Sequence, residues 1–216
     1  MTMKRALSPL ARILRPARLL LGIAAIGLAG CQIIPDAAPD PTRFYVLTGP
    51  SLQQVSTAQP GPLSLGLKAV NLAPYLRGRS MLVRAGEHEI TYNDYARWAE
   101  PLDQGISRIL QGQLLGSPSV GRVHAHPFPF DQTRDFDVAV SIVRCEGVRE
   151  AGTSVARFAA LIEVTRVNDG SMVKRQVFTA PDVPWNGQDY AALAAALSSS
   201  VERLASEVIA SLPTPP

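Results

Sequence analysis

The chain has 216 residues, of which 46% are hydrophobic, and its 21 Lys and Arg against 18 Asp and Glu give a formal net charge of +3. This length is enough for one domain with a proper core. No basic cluster is interleaved with aromatic residues, which excludes the usual sequence pattern of a nucleic-acid-binding protein.

The first thirty residues have the pattern of a secretory signal. Residues 1–18 carry five basic side chains and no acid, and residues 19–30 carry no charge. A membrane-spanning helix needs about 20 apolar residues, whereas the apolar core of a signal peptide is about 7–15 residues long. Residues 1–30 are therefore predicted to be a signal peptide. Residues 31–216 then hold 16 basic and 18 acidic side chains, a net charge of −2.

A cysteine ends this signal. The string Leu28-Ala29-Gly30-Cys31 resembles the lipobox of bacterial lipoproteins, in which the signal is cut before the cysteine and the cysteine carries acyl chains such as palmitate. Several acyl chains give stable anchoring, at about 0.8 kcal/mol per buried CH₂ group. In that class Asp at the next position tends to retain the protein in the inner membrane, so Gln32 favours the outer membrane. The alternative is an ordinary signal peptide with a cysteine nearby by chance.

The segment after Cys31 is predicted to be a tether followed by a single domain. Residues 35–42 read PDAAPDPT, and proline-rich segments favour extended polyproline II. The predicted organisation is a signal peptide at 1–30, a lipidated cysteine and tether at 31–42, and one domain at 43–213.

Alternating and helical patterns fill that domain. Period-two alternation and β-prone runs predict strands at residues 43–47, 63–69, 80–84, 88–92, 120–126, 136–143, 154–167 and 171–178. Asn93 or Asp94 is predicted to cap a short turn at 94–99, and apolar spacings of three and four predict helices at 101–115 and 189–212. These elements predict an α+β fold with a largely antiparallel sheet of about seven strands and two main helices packed on one face.

No arrangement of side chains predicts catalysis, a metal site or a cofactor. The chain has no G-x-S-x-G, P-loop or H-E-x-x-H motif. His124 and His126 share one face of a strand but lack a third ligand, and His88 lies near a hairpin turn. Glu100 and Asp103 flank a helix start, where acids favour the macrodipole. Cys145 has no partner once Cys31 is acylated, and it is predicted to be a buried, inert thiol.

Several strings of residues carry a family resemblance. The resemblance covers nearly all of the mature chain, and the strings that carry it are Tyr95-Ala96-Arg97-Trp98-Ala99-Glu100-Pro101-Leu102, RFYVL at 43–47, LAPYL at 72–76, the strand at 137–147, and DYAAL at 189–193. With them the chain resembles the PqiC-like ABC-transport auxiliary lipoproteins. Cys145 is a departure, because that family tends to place an aromatic residue there.

The resemblance implies a non-catalytic outer-membrane lipoprotein. Such proteins work beside mammalian-cell-entry (MCE) domain proteins and an inner-membrane ABC transporter, in systems that carry lipid between the two bacterial membranes and support envelope integrity. The lipoprotein would dock the periplasmic end of the MCE assembly onto the outer membrane. Because MCE proteins form rings, a homo-oligomer is one arrangement compatible with the resemblance.

Residues 71–79 (NLAPYLRGR) are predicted to contact the partner through Tyr75, Leu76, Arg77 and Arg79, because Tyr and Arg are enriched at interface hot spots. In the alternative, Tyr75 and Leu76 simply lie beneath the sheet. Two other functions stay open, namely a module that shields lipid between sheet and helices and a structural envelope lipoprotein without a transporter. An enzyme is the least favoured.

Overall fold

A ten-stranded sheet and two α-helices make up the part of the chain that the structure describes. This computed structural model describes residues 38–50, 61–150 and 152–213. The strands and helices that the structure describes all belong to one compact unit, residues 41–216. The predicted signal peptide and Cys31 lie outside the described residues.

Most of the predicted elements occur within a few residues of their expected bounds. The strands are β1 (Arg43–Tyr45), β2 (Leu63–Leu67), β3 (Asn71–Leu72), β4 (Ser80–Ala85), β5 (Glu89–Trp98), β6 (Val120–Ala125), β7 (Phe136–Glu150), β8 (Thr153–Arg166), β9 (Met172–Thr179) and β10 (Val183–Pro184). The helices are α1 (Leu102–Leu115) and α2 (Tyr190–Ala210).

Strand β7 organises the sheet. One edge of β7 pairs with the antiparallel β8 from end to end. The other edge receives β2, β3 and β4 in turn, and all three run parallel to β7. The strands β2, β3 and β4 thus lie one after another along the same edge of β7, like a single strand with two interruptions. The α+β class fits, but the expected largely antiparallel sheet of about seven strands is wrong, because the sheet is mixed and has ten strands.

The segment before α1 also differs from its prediction. The expected capped turn at 94–99 is wrong, because β5 continues to Trp98. Asn93 nevertheless bonds the backbone as a cap would, since its Oδ1 accepts hydrogen bonds from the N–H groups of Tyr95 and Ala96. An asparagine side chain satisfies backbone donors in a strand irregularity as well as at a helix start, and the sequence pattern does not separate these two uses.

Both predicted main helices are confirmed. Pro101 occupies the cap position before α1, where a proline costs no hydrogen bond. The carboxylate of Asp189 caps α2 by accepting from the N–H groups of Ala191 and Ala192 at 2.9 and 3.1 Å. The apolar faces of both helices share one core with the sheet.

A β-bulge at Val143 explains why Cys145 is buried although its position does not fit the alternation of the strand. Residues 136, 138, 140 and 142 of β7 are buried in the core, and Cys145 is out of phase with them. Val143 has no register partner, because Ile142 pairs with Ala160 and Arg144 with Ala159. The extra residue returns Cys145 to the core side, opposite Phe158, where it is a free and buried thiol, as the sequence predicted.

Gly147 is the next residue after Cys145 on the core side of β7, and its position leaves no room for a side chain. A Cβ atom at this position would lie 2.8 Å from Cζ3 of Trp185 and 3.3 Å from Cδ2 of Leu193. We expect Gly147→Ala to lower the free energy of unfolding by about 1–3 kcal/mol, as overpacking does. Equilibrium urea denaturation followed by circular dichroism measures this change.

The matched control is Gly78→Ala, because no atom lies within 4 Å of a Cβ atom built there. We expect the free energy of unfolding of this variant to differ from that of the wild type by no more than about 0.5 kcal/mol. Equal stability of the two variants would contradict the packing of β7 against α2.

Candidate partner-docking surface

The predicted contact segment, residues 71–79, contains β3 and the irregular stretch between β3 and β4. Both of these strands pair with the same edge of β7. The chain leaves β7 after β3, makes a 3-10 turn at Pro74–Leu76, and rejoins β7 in β4. Pro74 suits the start of this turn, because its φ is already fixed and its missing N–H is not needed there. The N–H of Leu76 closes the turn by donating to the carbonyl of Ala73 at 2.9 Å.

Tyr75 fastens this turn to the sheet. Its hydroxyl donates to the carbonyl of Val143 at 2.9 Å, and its own carbonyl accepts from the hydroxyl of Tyr92 at 3.2 Å. The guanidinium carbon of Arg84 lies 5.5 Å from the centre of the Tyr75 ring, within cation–π range. Burial, followed by the negative charge of Glu146, raises the pKa of Tyr75 to about 12.

An ion pair lies beside Tyr75. Arg84 donates from Nε to Oε1 of Glu146 at 2.6 Å and from Nη2 to Oε2 of Glu146 at 3.3 Å. The Glu146 side chain is 0% exposed. The hydrogen bond to Glu146 raises the pKa of the Arg84 guanidinium. A bidentate pair of this kind satisfies the charge of the fully buried Glu146 carboxylate, while the Arg84 side chain stays 13% exposed.

The four predicted contact residues divide into two groups. Leu76 is buried in the core and Tyr75 is half-buried, whereas Arg77 and Arg79 are exposed. Among the described ion pairs, none includes Arg77 or Arg79. Leu76 and Tyr75 therefore hold the turn in place. Arg77 and Arg79 carry exposed charges, and Nη1 of Arg79 also donates to the backbone carbonyl of Ala99 at 3.4 Å.

Sequence reasoning missed Arg84, Glu146 and Tyr92. A signal was available for Glu146, because a carboxylate within the apolar run of β7 requires a cationic partner when it is buried. The sequence does not reveal which arginine supplies that charge. The pairing of β4 with β7 in parallel register, with Arg84 opposite Val148, is what brings Arg84 beside Glu146.

The residues considered for chemistry do not form a site. No group of three potential metal ligands occurs among residues 38–50, 61–150 and 152–213. His88 is exposed beside Glu87. Glu100 is held by Arg108 at 2.5 Å, and Asp103 lies in the first turn of α1, which agrees with a structural role at the helix start.

Cys145, His124 and His126 are the other side chains considered for chemistry. Burial raises the pKa of the Cys145 thiol, so this cysteine is protonated and inert at neutral pH. Nε2 of His124 is buried without a hydrogen-bond partner, while the His126 residue is exposed beyond the end of β6.

A sequence model of the family described as "ABC-type transport auxiliary lipoprotein component" matches residues 45–209, which include every strand from β2 to β10, all of α1 and all of α2 but its last residue. The chain belongs to this family. The segment 71–79 and its fastening residues all lie inside the matched range. The family is named for an auxiliary part in transport, and not for an enzymatic activity.

Two solved structures share the fold of this family member. Protein XCC0632 from Xanthomonas campestris, of the DUF330 family, has a TM-score of 0.64 at 18% identity and covers 78% of this chain and 93% of its own. A crystal structure titled only as that of an uncharacterized protein has a TM-score of 0.61 at 15% identity, covering 77% and 95%. No curated protein sequence matches significantly.

No described helix is long and apolar enough to span a bilayer.

The Arg84–Glu146 pair gives a stability prediction for the surface. We expect Arg84→Met to lower the free energy of unfolding by about 3–5 kcal/mol, because it leaves a buried carboxylate without its partner. The control is Arg175→Met, which breaks the more exposed Arg175–Glu163 pair of β9 and β8 and should cost about 0–1 kcal/mol. Urea denaturation of both variants measures the difference.

The double variant Arg84→Met/Glu146→Met should recover most of the loss, because it removes both charges together. An Arg84→Met variant no less stable than Arg175→Met would contradict the buried pair.

Proposed function

We propose that the chain is a non-catalytic outer-membrane lipoprotein subunit of an MCE/ABC-type intermembrane lipid transport system. It docks the periplasmic MCE assembly to the outer membrane and so supports envelope integrity. The observation that carries this proposal is the family match over residues 45–209, whose description names an auxiliary lipoprotein of ABC-type transport. The PqiC-like strings and the lipobox support the choice of the MCE system and of the outer membrane.

In this proposal Cys31 is the first residue of the mature chain and bears the acyl chains. Gln32, in place of an aspartate, directs the protein to the outer membrane. Residues 35–42 tether the domain that begins at residue 43 and ends at 213. A short tether raises the effective concentration of the domain near any partner that reaches the membrane, so that a weak contact is enough for docking.

The docking contact is assigned to residues 71–79. Arg77 and Arg79 are exposed cations on a turn that Tyr75 and Leu76 hold in place. A preformed surface loses little conformational entropy on binding, and arginines pair well with the carboxylates of a partner. The MCE surface that meets this segment is therefore proposed to be acidic.

The interior favours docking over lipid shielding. A lipid-binding module would hold an acyl chain between the sheet and the helices. In the described domain, buried side chains from both layers meet in that space, among them Val140 and Ile162 of the sheet, Leu110 of α1 and Val201 of α2. All four are fully buried in one continuous core, and an acyl chain would have to displace them.

The docking segment is tested by reversing its exposed charges. We expect Arg77→Glu/Arg79→Glu to lower the amount of MCE protein that co-purifies with the lipoprotein from cross-linked membranes by about tenfold or more, since like charges across an interface cost several kcal/mol. Quantitative mass spectrometry of the purified material measures this ratio.

The matched control is Lys174→Glu/Arg175→Glu, which reverses two exposed charges on β9. This control should co-purify as much MCE protein as the wild type. Equal co-purification by both double variants would remove the docking role from residues 71–79.

A further inference from the structure

Exposed apolar side chains gather on the first strand of the domain and on its neighbour. Phe44 is 62% exposed, Tyr95 is 57% exposed, and Val46 is nearly half exposed. Large apolar groups that lie together at a surface mark a contact with another body. We call Phe44, Val46, Tyr95 and Arg97 the edge-strand patch.

Strand register places these four residues on one face. In the parallel pairing of β1 with β5, Phe44 lies opposite Arg97 and Tyr45 opposite Trp98. Side chains alternate along a strand, so Val46 shares the face of Phe44, and Tyr95 shares the face of Arg97. Trp98 and Leu47 are buried in the core. The edge-strand patch consequently faces away from the core and the helices.

The patch is held rigidly. The N–H of Ala99 donates to the carbonyl of Tyr45 at 2.7 Å, which extends the pairing of β1 beyond its last residue. The ring of Tyr45 lies 6.4 Å from the ring of Tyr190 at the start of α2. Phe44 therefore cannot turn inward without breaking the contacts of its neighbour.

The patch also lies close to the proposed anchor along the chain. Residues 32–42 separate Cys31 from the start of β1, and an extended proline-rich segment spans about 3.1 Å per residue, or roughly 34 Å in all. Strand β1 is thus the first element after the anchor. Anionic and zwitterionic headgroups present phosphates to arginine, and aromatic rings prefer the boundary between headgroups and acyl chains.

We propose that the edge-strand patch rests on the surface of the bilayer that holds the acyl chains of Cys31. Phe44, Val46 and Tyr95 enter the headgroup region, and Arg97 binds lipid phosphate. Among the ion pairs of the described residues none includes Arg97, and its Nε donates a hydrogen bond to the backbone carbonyl of Asp94 at 3.1 Å. The inference rests on the proposed lipid anchor but requires no MCE partner.

Site-specific photo-crosslinking tests this contact. The full-length protein carries p-benzoylphenylalanine in place of Phe44, Tyr95 or, as a control, Val177, an exposed apolar residue of β9. Each protein is reconstituted into liposomes of phosphatidylethanolamine and phosphatidylglycerol that contain no other protein. Irradiation is followed by mass spectrometry of both the adducts and the peptide that contains Cys31.

We expect phospholipid adducts at positions 44 and 95 to exceed those at position 177 by about fivefold or more, because interfacial residues lie at headgroup level. Equal yields at the three positions, or adducts only to a second copy of the chain, would overturn the proposal. An unacylated Cys31 would overturn the proposal because the lipid anchor on which it rests would be absent. The mass of the peptide that contains Cys31 distinguishes this outcome from a failure of the patch itself.

Charge reversal supplies a second readout. Arg97→Glu should lower the lipid adduct yield from position 44 severalfold, because a carboxylate is repelled by lipid phosphate. Lys174→Glu on β9 is the matched control and should leave that yield unchanged. An Arg97→Glu protein with full yield would remove the phosphate contact from the proposal.

Discussion

The bulge at Val143 is the local constraint on which both the core and the candidate surface depend. One extra residue in β7 returns Cys145 and Gly147 to the core side and leaves Glu146 on the other side of the sheet. The carbonyl of the bulged residue accepts the hydroxyl of Tyr75, which fastens the docking segment. A bulge bends a strand and redirects its side chains, and here it joins the packing of α2 to the position of residues 71–79.

The buried Arg84–Glu146 pair extends this constraint to β4 and to the turn above it. The ion pair with the buried Glu146 holds Arg84 beside the ring of Tyr75. The proposed docking segment and the edge-strand patch adjoin, since Ser80, which follows Arg79, lies opposite Arg97 in the sheet. If both proposals hold, a partner bound at Arg77 and Arg79 meets the domain beside the bilayer surface.

Much of the architecture could be predicted from the sequence, and the failures have identifiable causes. Alternation and β-prone runs located β8 and the first half of β7, and helical spacing located α2 to within two residues at each end. Periodicity carries no information about strand direction, so the parallel run of β2, β3 and β4 along β7 was not foreseen. Asn93 satisfies two backbone donors in a strand by the same hydrogen bonds that would begin a helix, and the two cases look alike in sequence.

The candidate site was predictable in part. The segment 71–79 was proposed because Tyr75 and Leu76 lie between a proline and two arginines, and the structure shows that both arginines are exposed. The burial of Leu76 and the fastening by Arg84, Glu146 and Tyr92 depend on contacts between residues far apart in the chain. A single sequence gives no measure of such contacts. Cys145 illustrates the same limit, because its burial was predicted against its phase and only the bulge explains it.

The most direct test of the account is an affinity purification of the full-length lipidated protein from gently cross-linked outer-membrane fractions, with Cys31→Ser as the unanchored control. The account predicts an acylated Cys31 and strong enrichment of an MCE-domain protein with its ABC transporter in the wild type, and loss of this material from the outer-membrane fraction in the control. An acylated protein that enriches no MCE-domain protein would contradict the docking role and favour a structural lipoprotein of the envelope.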